Sequence, residues 1–310
     1  MNLYCVVVTY NAEKWIDQCI ASLLNSSINA KIIVIDNRST DKTLECLAKF
    51  EEIVCIPLKS NIGFGRANNI GLCYALDQHC DFVFLLNQDA YVQQNTIQQL
   101  VITAQQHREY GILSPVHLTG DGTGIDSKFL QYVSTNGADT LVADLYLHET
   151  TQPVYELSFV NAAAWLVSSG LLSKVGGFDP LFFMYGEDED LCKRAKIHGF
   201  KVGIVPSSAV YHYRSTSPVS GYAKWLLKPI RRNSVEMIRH LKDYNGVIGE
   251  RFIGVTVDFA ADLLRSLARL RWLSALLLIA SYLYILVSFP IIWRHKRQSL
   301  KIGTHWLTSR

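Results

Sequence analysis

The chain has 310 residues and a formal net charge of +3, long enough to bury a full core in one or two domains. The charge is unevenly spread: residues 1–219 hold 15 Lys/Arg against 22 Asp/Glu, whereas residues 220–310 hold 15 against 5. The seven cysteines form no Cys-x-x-Cys pair, and an odd count without a framework argues for a reducing compartment.

Leu3–Val8 is a short, continuously apolar, β-branched run, the pattern of a strand covered on both faces, and no basic leader or cleavage site precedes it. Trp15, Ile16, Cys19, Ile20, Leu23 and Leu24 follow at helical spacing. Lys31–Ile35 is the second strand, Thr40 or Asp41 can cap a helix starting near Lys42, and Ile53–Pro57 is the third strand. Gly63–Leu76 carries a glycine-rich turn into a helix, and Asp81–Leu86 is a fourth strand ending at Asn87-Gln88-Asp89. This β-α-β-α-β-α-β order predicts a parallel sheet with right-handed crossovers. Between about 111 and 160 the pattern weakens: Gly120–Gly124 reads as a loop, and 130–158 as short polar strands or a flexible excursion. Phe159–Ser168 is apolar again, a helix follows over Gly170–Val175, and Phe178–Tyr185 is an aromatic loop. Asp188–His198 has acids in its first turn, bases after them and Gly199 at its end, which predicts a helix. Lys201–Val205 and Ala209–Tyr213 are late strands.

From Ser220 the character changes, which divides the chain into an α/β domain (1–219) and a helical region (220–310). Tyr222–Tyr244 reads as a basic amphipathic helix broken at Pro229. Trp272–Trp293 has no charged residue and is long enough to span a bilayer core. Arg265, Arg269 and Arg271 flank it on one side and Arg294, Lys296 and Arg297 on the other; both clusters prefer the same side of a membrane, which conflicts with a single crossing. A spanning helix, a bend at Pro290, a shallow hairpin and an in-plane helix stay open, beside a buried soluble helix. The basic and apolar composition favours an anionic lipid surface over nucleic acid as partner.

Acids and amides recur where predicted strands end, which is where an open α/β sheet places its ligand. Thr9 and Asp36 end the first two strands. A carboxylate there accepts hydrogen bonds from a ring N–H or a ribose hydroxyl, although Asp36-Asn37 also reads as a turn and Asp41 as a helix cap. The glycines of Asn61–Gly71 let backbone approach a phosphate at a helix N-terminus, where Arg66 can pair with it; a tight turn explains them equally. Asp89 offers a hard oxygen to a divalent cation, Asn87 a neutral carbonyl, and His212 an imidazole that also suits a core position between Tyr211 and Tyr213. In Glu187-Asp188-Glu189-Asp190, crowding raises at least one pKa while the helix N-terminus lowers it.

Six pieces stand in order: Val6-Val7-Val8-Thr9-Tyr10-Asn11, Asp36-Asn37-x-Ser39-Thr40-Asp41, Asn61-x-Gly63-Phe64-Gly65-x-Ala67-x-Asn69-x-Gly71, Leu85-Leu86-Asn87-x-Asp89, Gly176-Gly177-Phe178-Asp179 and Phe183-Met184-Tyr185-Gly186-Glu187-Asp188-x-Asp190-Leu191. Over about residues 3–215 the chain resembles the inverting glycosyltransferases of family 2, and most of all their bacterial rhamnosyltransferase-type members. The resemblance implies a GT-A nucleotide-diphospho-sugar transferase fold, an α/β architecture with a mostly parallel sheet flanked by helices, followed by a basic, apolar, membrane-associating helical region. It implies that Thr9, Asn11, Asp36 and Asp41 form the nucleoside pocket and that Asn69 and Asn87 lie near the donor. Asp89 and His212 would hold Mg²⁺ or Mn²⁺. Asp188, beside a substrate-side Glu187, would take the proton of the acceptor hydroxyl. Asn87 departs from the family's Asp-x-Asp, whose first position is an acid. Trp165 and the aromatic loop would form an acceptor platform, with Phe178 and Phe182 favouring the core.

The donor implied is a dTDP- or UDP-sugar, with dTDP-rhamnose favoured, and the acceptor a lipid-linked or growing bacterial surface glycan. The expected location is the cytoplasmic face of the bacterial inner membrane, peripheral or integral through the C-terminal region. Two other classes stay open. A nucleotidyltransferase of similar sheet architecture needs a glycine-rich basic loop after the first strand, which Thr9–Lys14 lacks. A non-catalytic membrane scaffold would bind a sugar nucleotide without turnover.

Overall fold

The computed structural model describes residues 1–147, 149, 151–214 and 222–307, with backbone alone for 222–228. The chain forms two compact units, Met1–Ser215 with Ile302–Arg310, and Thr216–Lys301. The boundary expected at 219/220, and the side chains expected on the first turns of the basic helix, lie outside the described residues.

In the first unit, β1 (Leu3–Thr9), α1 (Ile16–Leu24), β2 (Lys31–Asp36), α2 (Thr43–Leu47), β3 (Ile53–Pro57), α3 (Phe64–Asp77) and β4 (Phe82–Asn87) alternate. β1 lies between β2 and β4, and all four strands of this half run parallel. There follow β5 (Ala90–Val92), α4 (Thr96–Gln106), β6 (Tyr110–Thr119), α5 (Ser127–Thr135), α6 (Asp139–Leu147), β7 (Tyr155–Leu157), β8 (Ala164–Ser168), α7 (Ser169–Val175), α8 (Glu187–Ile197) and β9 (Lys201–His212). The sheet order is β3-β2-β1-β4-β8-β6-β9-β5, with β7 on β9. Beyond β4 the sheet is mixed: β8 is antiparallel to β4 and β6, and β5 and β7 are antiparallel to β9.

Alternate residues of the strands feed two cores. Tyr4, Val6, Ile33, Ile35, Val83 and Leu85 pack with Leu72 of α3, Leu172 of α7 and Leu191 of α8. Cys5, Val7, Ile32, Val34, Phe84 and Leu86 pack with Ile16 and Ile20 of α1 and Ile97 and Leu100 of α4. With both faces covered, no polar alternation is required, and the strands read as unbroken apolar runs. The winding reverses between β1 and β4, so a crevice forms outside their carboxyl ends, at Thr9 and Asn87.

Two expectations change. Residues 130–158 hold the end of α5, α6 and β7 instead of polar strands. α5 forms because the Asp126 carboxylate accepts the N–H groups of Lys128 and Phe129 at its N-terminus, and Phe129 and Val133, one turn apart, are buried. The two late strands are one, β9, whose register against β6 shifts between Pro115 and Val116.

The second unit comprises α9 (Tyr222–Leu241), α10 (Ile248–Ala268) and α11 (Trp272–Ser299). α9 runs through Pro229 and α11 through Pro290, where the sequence predicts a break and offers a bend. Each proline removes one backbone donor, and packing carries the helix past it: Ser281 donates to the Ile230 carbonyl beside the first, and Ile285 and Ile292 are buried on either side of the second. Lys296 is buried and donates to the carbonyls of Leu241, Asp243 and Gly246, placing a cation at the C-terminal end of α9.

Candidate active site

The crevice wall at β1 and β2 is a built loop. Thr9 pairs in register with Asp36 and donates its hydroxyl to Asp36 Oδ1 at 2.9 Å. Asp36 is buried, and it also accepts the Ser39 hydroxyl at 2.5 Å and the Ser39 N–H at 2.9 Å. One lone pair of Oδ2 stays uncommitted by these bonds. Asn11, at φ 52°, donates its N–H to Ser39 Oγ and accepts the Thr40 N–H. Asp41 accepts the Thr43 hydroxyl and the N–H groups of Thr43 and Glu13. Burial pushes its carboxyl up, but those donors together hold it below the usual carboxylate range. These four residues, Thr9, Asn11, Asp36 and Asp41, thus stand together at one edge.

Asn37 joins that wall to α3, donating to Asn61 Oδ1 and accepting the Ile62 N–H at 2.8 Å. At Gly63 (φ +90°) a Cβ would come within 2.2 Å of the Phe183 carbonyl oxygen, so only glycine fits. The Phe64 N–H donates to that same oxygen. Arg66 and Asn69, expected along the diphosphate and donor sugar, are engaged elsewhere. Arg66 directs Nε and Nη2 onto the Pro180 carbonyl at 3.1 and 2.7 Å. Asn69 exchanges two 2.8 Å bonds with the Phe178 backbone. The start of α3 therefore grips the aromatic loop that leads into α8.

On the other side of the crevice, Asn87 ends β4, and its N–H donates to the Ala163 carbonyl. Gln88 clasps the Tyr10 backbone from both ends of its amide. Asp89 opens onto β5, and Ala90 pairs with His212 at the end of β9. The result is that Asp89 Oδ1 lies 3.4 Å from His212 Nε2, both side chains being largely buried. Adjacent donors around one small divalent cation lie about 3 Å apart, so this pair fits a shared ion. A carboxylate with an imidazole suits Mn²⁺ better than Mg²⁺. Among the described residues no third His, Cys, Asp or Glu joins the pair, so a bound ion would need its other ligands from outside the chain.

Three residues behind this pair escaped the sequence reading. Asp126 Oδ2 lies 3.8 Å from His212 Nδ1 and accepts from Arg214 Nε. Burial pushes the Asp126 carboxyl up, but Arg214 and the N–H of Phe129 bring it below its ordinary value. His117 is fully buried, stacked on Phe129, with Nε2 3.0 Å from Ser114 Oγ. The signal available for Asp126 was its capping position before Ser127-Lys128-Phe129; nothing local marks His117.

Gly186, in the left-handed region, starts α8. Its four acids separate by role. Asp190 is buried against Arg194 Nε at 2.8 Å, and Glu189 pairs with Lys193. Glu187 is buried beside Gly65. Asp188 is half-buried, its Oδ1 accepting the Glu189 N–H. Trp165 is corrected: it is fully buried in β8 between β4 and β6 and stacks on Phe178, so its ring has no face for a ligand. Phe178 and Phe182 are also core, whereas Phe183 and Tyr185 are exposed.

Comparison with known proteins adds to this geometry. The model of Glycosyl transferase family 2 matches residues 4–173. The chain is 27% identical over 212 residues to dTDP-rhamnosyl transferase RfbF of Shigella flexneri, covering 68% of this chain and 69% of that one. It is 25% identical over 236 residues to the N-acetylglucosaminyl-diphospho-decaprenol L-rhamnosyltransferase of Mycobacterium tuberculosis H37Rv, covering 68% and 76%. Its fold matches that of the mannosyltransferase PcManGT from Pyrobaculum calidifontis, solved in complex with GDP-Man and Mn²⁺, with a TM-score of 0.54 and 16% identity over 92% of this chain and 87% of that one.

Proposed function

This chain belongs to glycosyl transferase family 2 and has the GT-A fold; from that premise we propose that it transfers rhamnose, or a related sugar, from a dTDP- or UDP-activated donor to a lipid-linked glycan. The dTDP donor, the rhamnose and the lipid-linked acceptor follow the names of the relatives. The observation that carries the reading is the Asp89–His212 pair, 3.4 Å apart at the crevice that also holds Thr9 and Asp36.

Asp36 accepts a hydrogen bond from the nucleoside with its remaining lone pair, while Thr9, Ser39 and Asn11 keep that carboxylate and its loop in place. Asp89 and His212 would hold Mg²⁺ or Mn²⁺, which when bound supplies charge neutralisation for the departing diphosphate. Asp126 and Arg214 act through His212, presenting a carboxylate to Nδ1 so that Nε2 faces Asp89. Asp188 takes the proton of the acceptor hydroxyl as that oxygen attacks the anomeric carbon from the face opposite the diphosphate, inverting the centre. The support for Asp188 is its half-exposed place in a turn where Asp190 is committed to Arg194 and Glu187 is buried. Asn69 and Arg66 position the loop before α8 instead of touching the donor. A lipid-linked acceptor agrees with the basic balance of Thr216–Lys301, which holds 14 Lys/Arg against 5 Asp/Glu; both support work at the cytoplasmic face of a membrane.

The test is a donor panel: purified full chain with Mn²⁺ and UDP-, GDP- and dTDP-sugars, scored by binding and by hydrolysis. Metal-dependent binding of a dTDP- or UDP-sugar is expected. Folded protein that binds none of the panel overturns the proposal.

A further inference from the structure

The chain does not end with α11; it returns to the first unit. Gly303 donates its N–H to the Lys174 carbonyl, and Gly177 donates to the His305 carbonyl at 2.9 Å. Gly176 has φ +83°, and a Cβ there would come within 2.3 Å of the His305 oxygen, so the turn and the returning segment are fitted to each other. Leu307 is buried in the same core as Val6, Trp165 and Leu191. The Trp306 ring lies 4.8 Å from the guanidinium carbon of Arg194, which itself donates to the Val175 and Gly177 carbonyls. Residues 302–307 are thus docked on the catalytic unit, with Leu307 in its core.

That closure constrains the segment in between. A folded unit lies on one side of a bilayer, so chain that leaves it and re-enters it crosses an even number of times. Among the described helices, α11 alone is long and apolar enough to cross. α9 carries Lys224, Lys228, Arg231, Arg232, Glu236 and Arg239, and α10 carries Glu250, Arg251, Asp258, Asp262 and Arg265, which makes either costly in hydrocarbon. α11 is also unbroken through Pro290, which excludes a hairpin within it. One crossing is odd, and no second is on offer.

The faces of α11 agree. Ser281, Ile285, Ile292, Lys296 and Ser299 are buried and fall on one side. Tyr282 bonds Thr256 and stacks on Phe259 of α10. The opposite side is an exposed apolar stripe of Trp272, Leu276, Ile279, Leu283, Leu286 and Val287, with Leu276 64% and Val287 81% exposed. Arg269 and Arg271 stand before the helix and Arg294 and Arg297 near its end, all four exposed.

We propose that α11 lies in the plane of an anionic bilayer surface, its stripe among the acyl chains and its terminal arginines on lipid headgroups, and does not cross. A stripe of this chemistry rimmed by cations is what a headgroup–acyl boundary complements. The inference rests on the membrane part of the proposed function and has its own readouts.

The first is topology: tags before Met1 and after Arg310 of the full chain, exposed to protease in inside-out and right-side-out vesicles from expressing cells. Both tags are cut in the same preparation; cutting in opposite preparations overturns the proposal. The second is flotation with vesicles of phosphatidylcholine alone or equimolar phosphatidylcholine–phosphatidylglycerol. The full chain floats with the anionic mixture, and Leu276→Glu/Leu283→Glu weakens this at least about tenfold, with helicity unchanged. Leu276→Ser/Leu283→Ser repeats the test should the first pair not fold. Equal flotation of wild type and folded variant, no flotation of either, or a dimer through the stripe in place of flotation each overturn it. Donor binding, measured separately, tells the two readings apart: a chain that binds sugar nucleotide but not vesicles sinks this inference alone, and the converse sinks the transferase activity alone.

Discussion

Asn69 and Phe178 exchange two hydrogen bonds of 2.8 Å each, side-chain amide to backbone, across 109 positions of sequence. This clasp fixes the turn that precedes the aromatic loop and α8. Asn69→Ala leaves both backbone groups of Phe178 buried and unpaired, at a cost of about 2–4 kcal/mol. A fall of that size in urea stability is expected, with turnover lowered more than donor affinity because the loop leads to Asp188. Donor affinity lost together with turnover would return Asn69 to direct substrate contact.

The Asp89–His212 pair makes a separate claim. Asp89→Asn and His212→Ala should each weaken Mn²⁺ binding in the presence of the nucleoside diphosphate by at least about tenfold. Electron paramagnetic resonance of Mn²⁺ reads this without any turnover. Unchanged Mn²⁺ affinity in both variants would leave the pair a buried hydrogen-bonding contact.

Much of the parallel half was legible because β1, β2 and β4 are covered on both faces, which makes their sequences unbroken apolar runs such as Val6-Val7-Val8. The same physics hid Trp165: β8 enters antiparallel between β4 and β6, a pairing with no local signature, and an aromatic in a short apolar run reads alike on a surface or in a core. The partner that Arg66 takes, the Pro180 carbonyl, lies 114 positions away and leaves no local mark in the sequence. α5 was missed because its amphipathic face is only Phe129 and Val133, and the cap at Asp126 follows a glycine-rich turn that reads as loop. Asp126 and Arg214, which complete the surroundings of His212, meet only through the fold.

Asp188→Asn distinguishes a catalyst from a scaffold that merely holds a sugar nucleotide. The substitution keeps shape and the hydrogen bond from Glu189 while removing proton affinity. Loss of turnover by about a hundred- to ten-thousandfold is expected, with donor binding unchanged. Retained transfer would assign the base elsewhere, and a variant that sustains the protein's cellular role would favour the scaffold.

His117 gives the fold a pH dependence whose sign can be worked out. Burial, followed by the neighbouring His212, lowers its pKa from 6.5 to about 3. Its Nδ1 is buried without a hydrogen-bond partner, so the neutral ring is the one the site accepts. The folded pKa lies below the unfolded one, so the unfolded chain binds the extra proton first as pH falls. Stability is therefore full above pH 6.5 and declines between there and about 3, by about 1.4 kcal/mol per pH unit. His117→Gln can keep a hydrogen bond to Ser114 and does not titrate. Between pH 7.5 and pH 5, wild type should lose about 2 kcal/mol more urea stability than this variant. Equal losses in the two proteins would mean that His117 gains a partner for its proton on acidification, which the present packing does not provide.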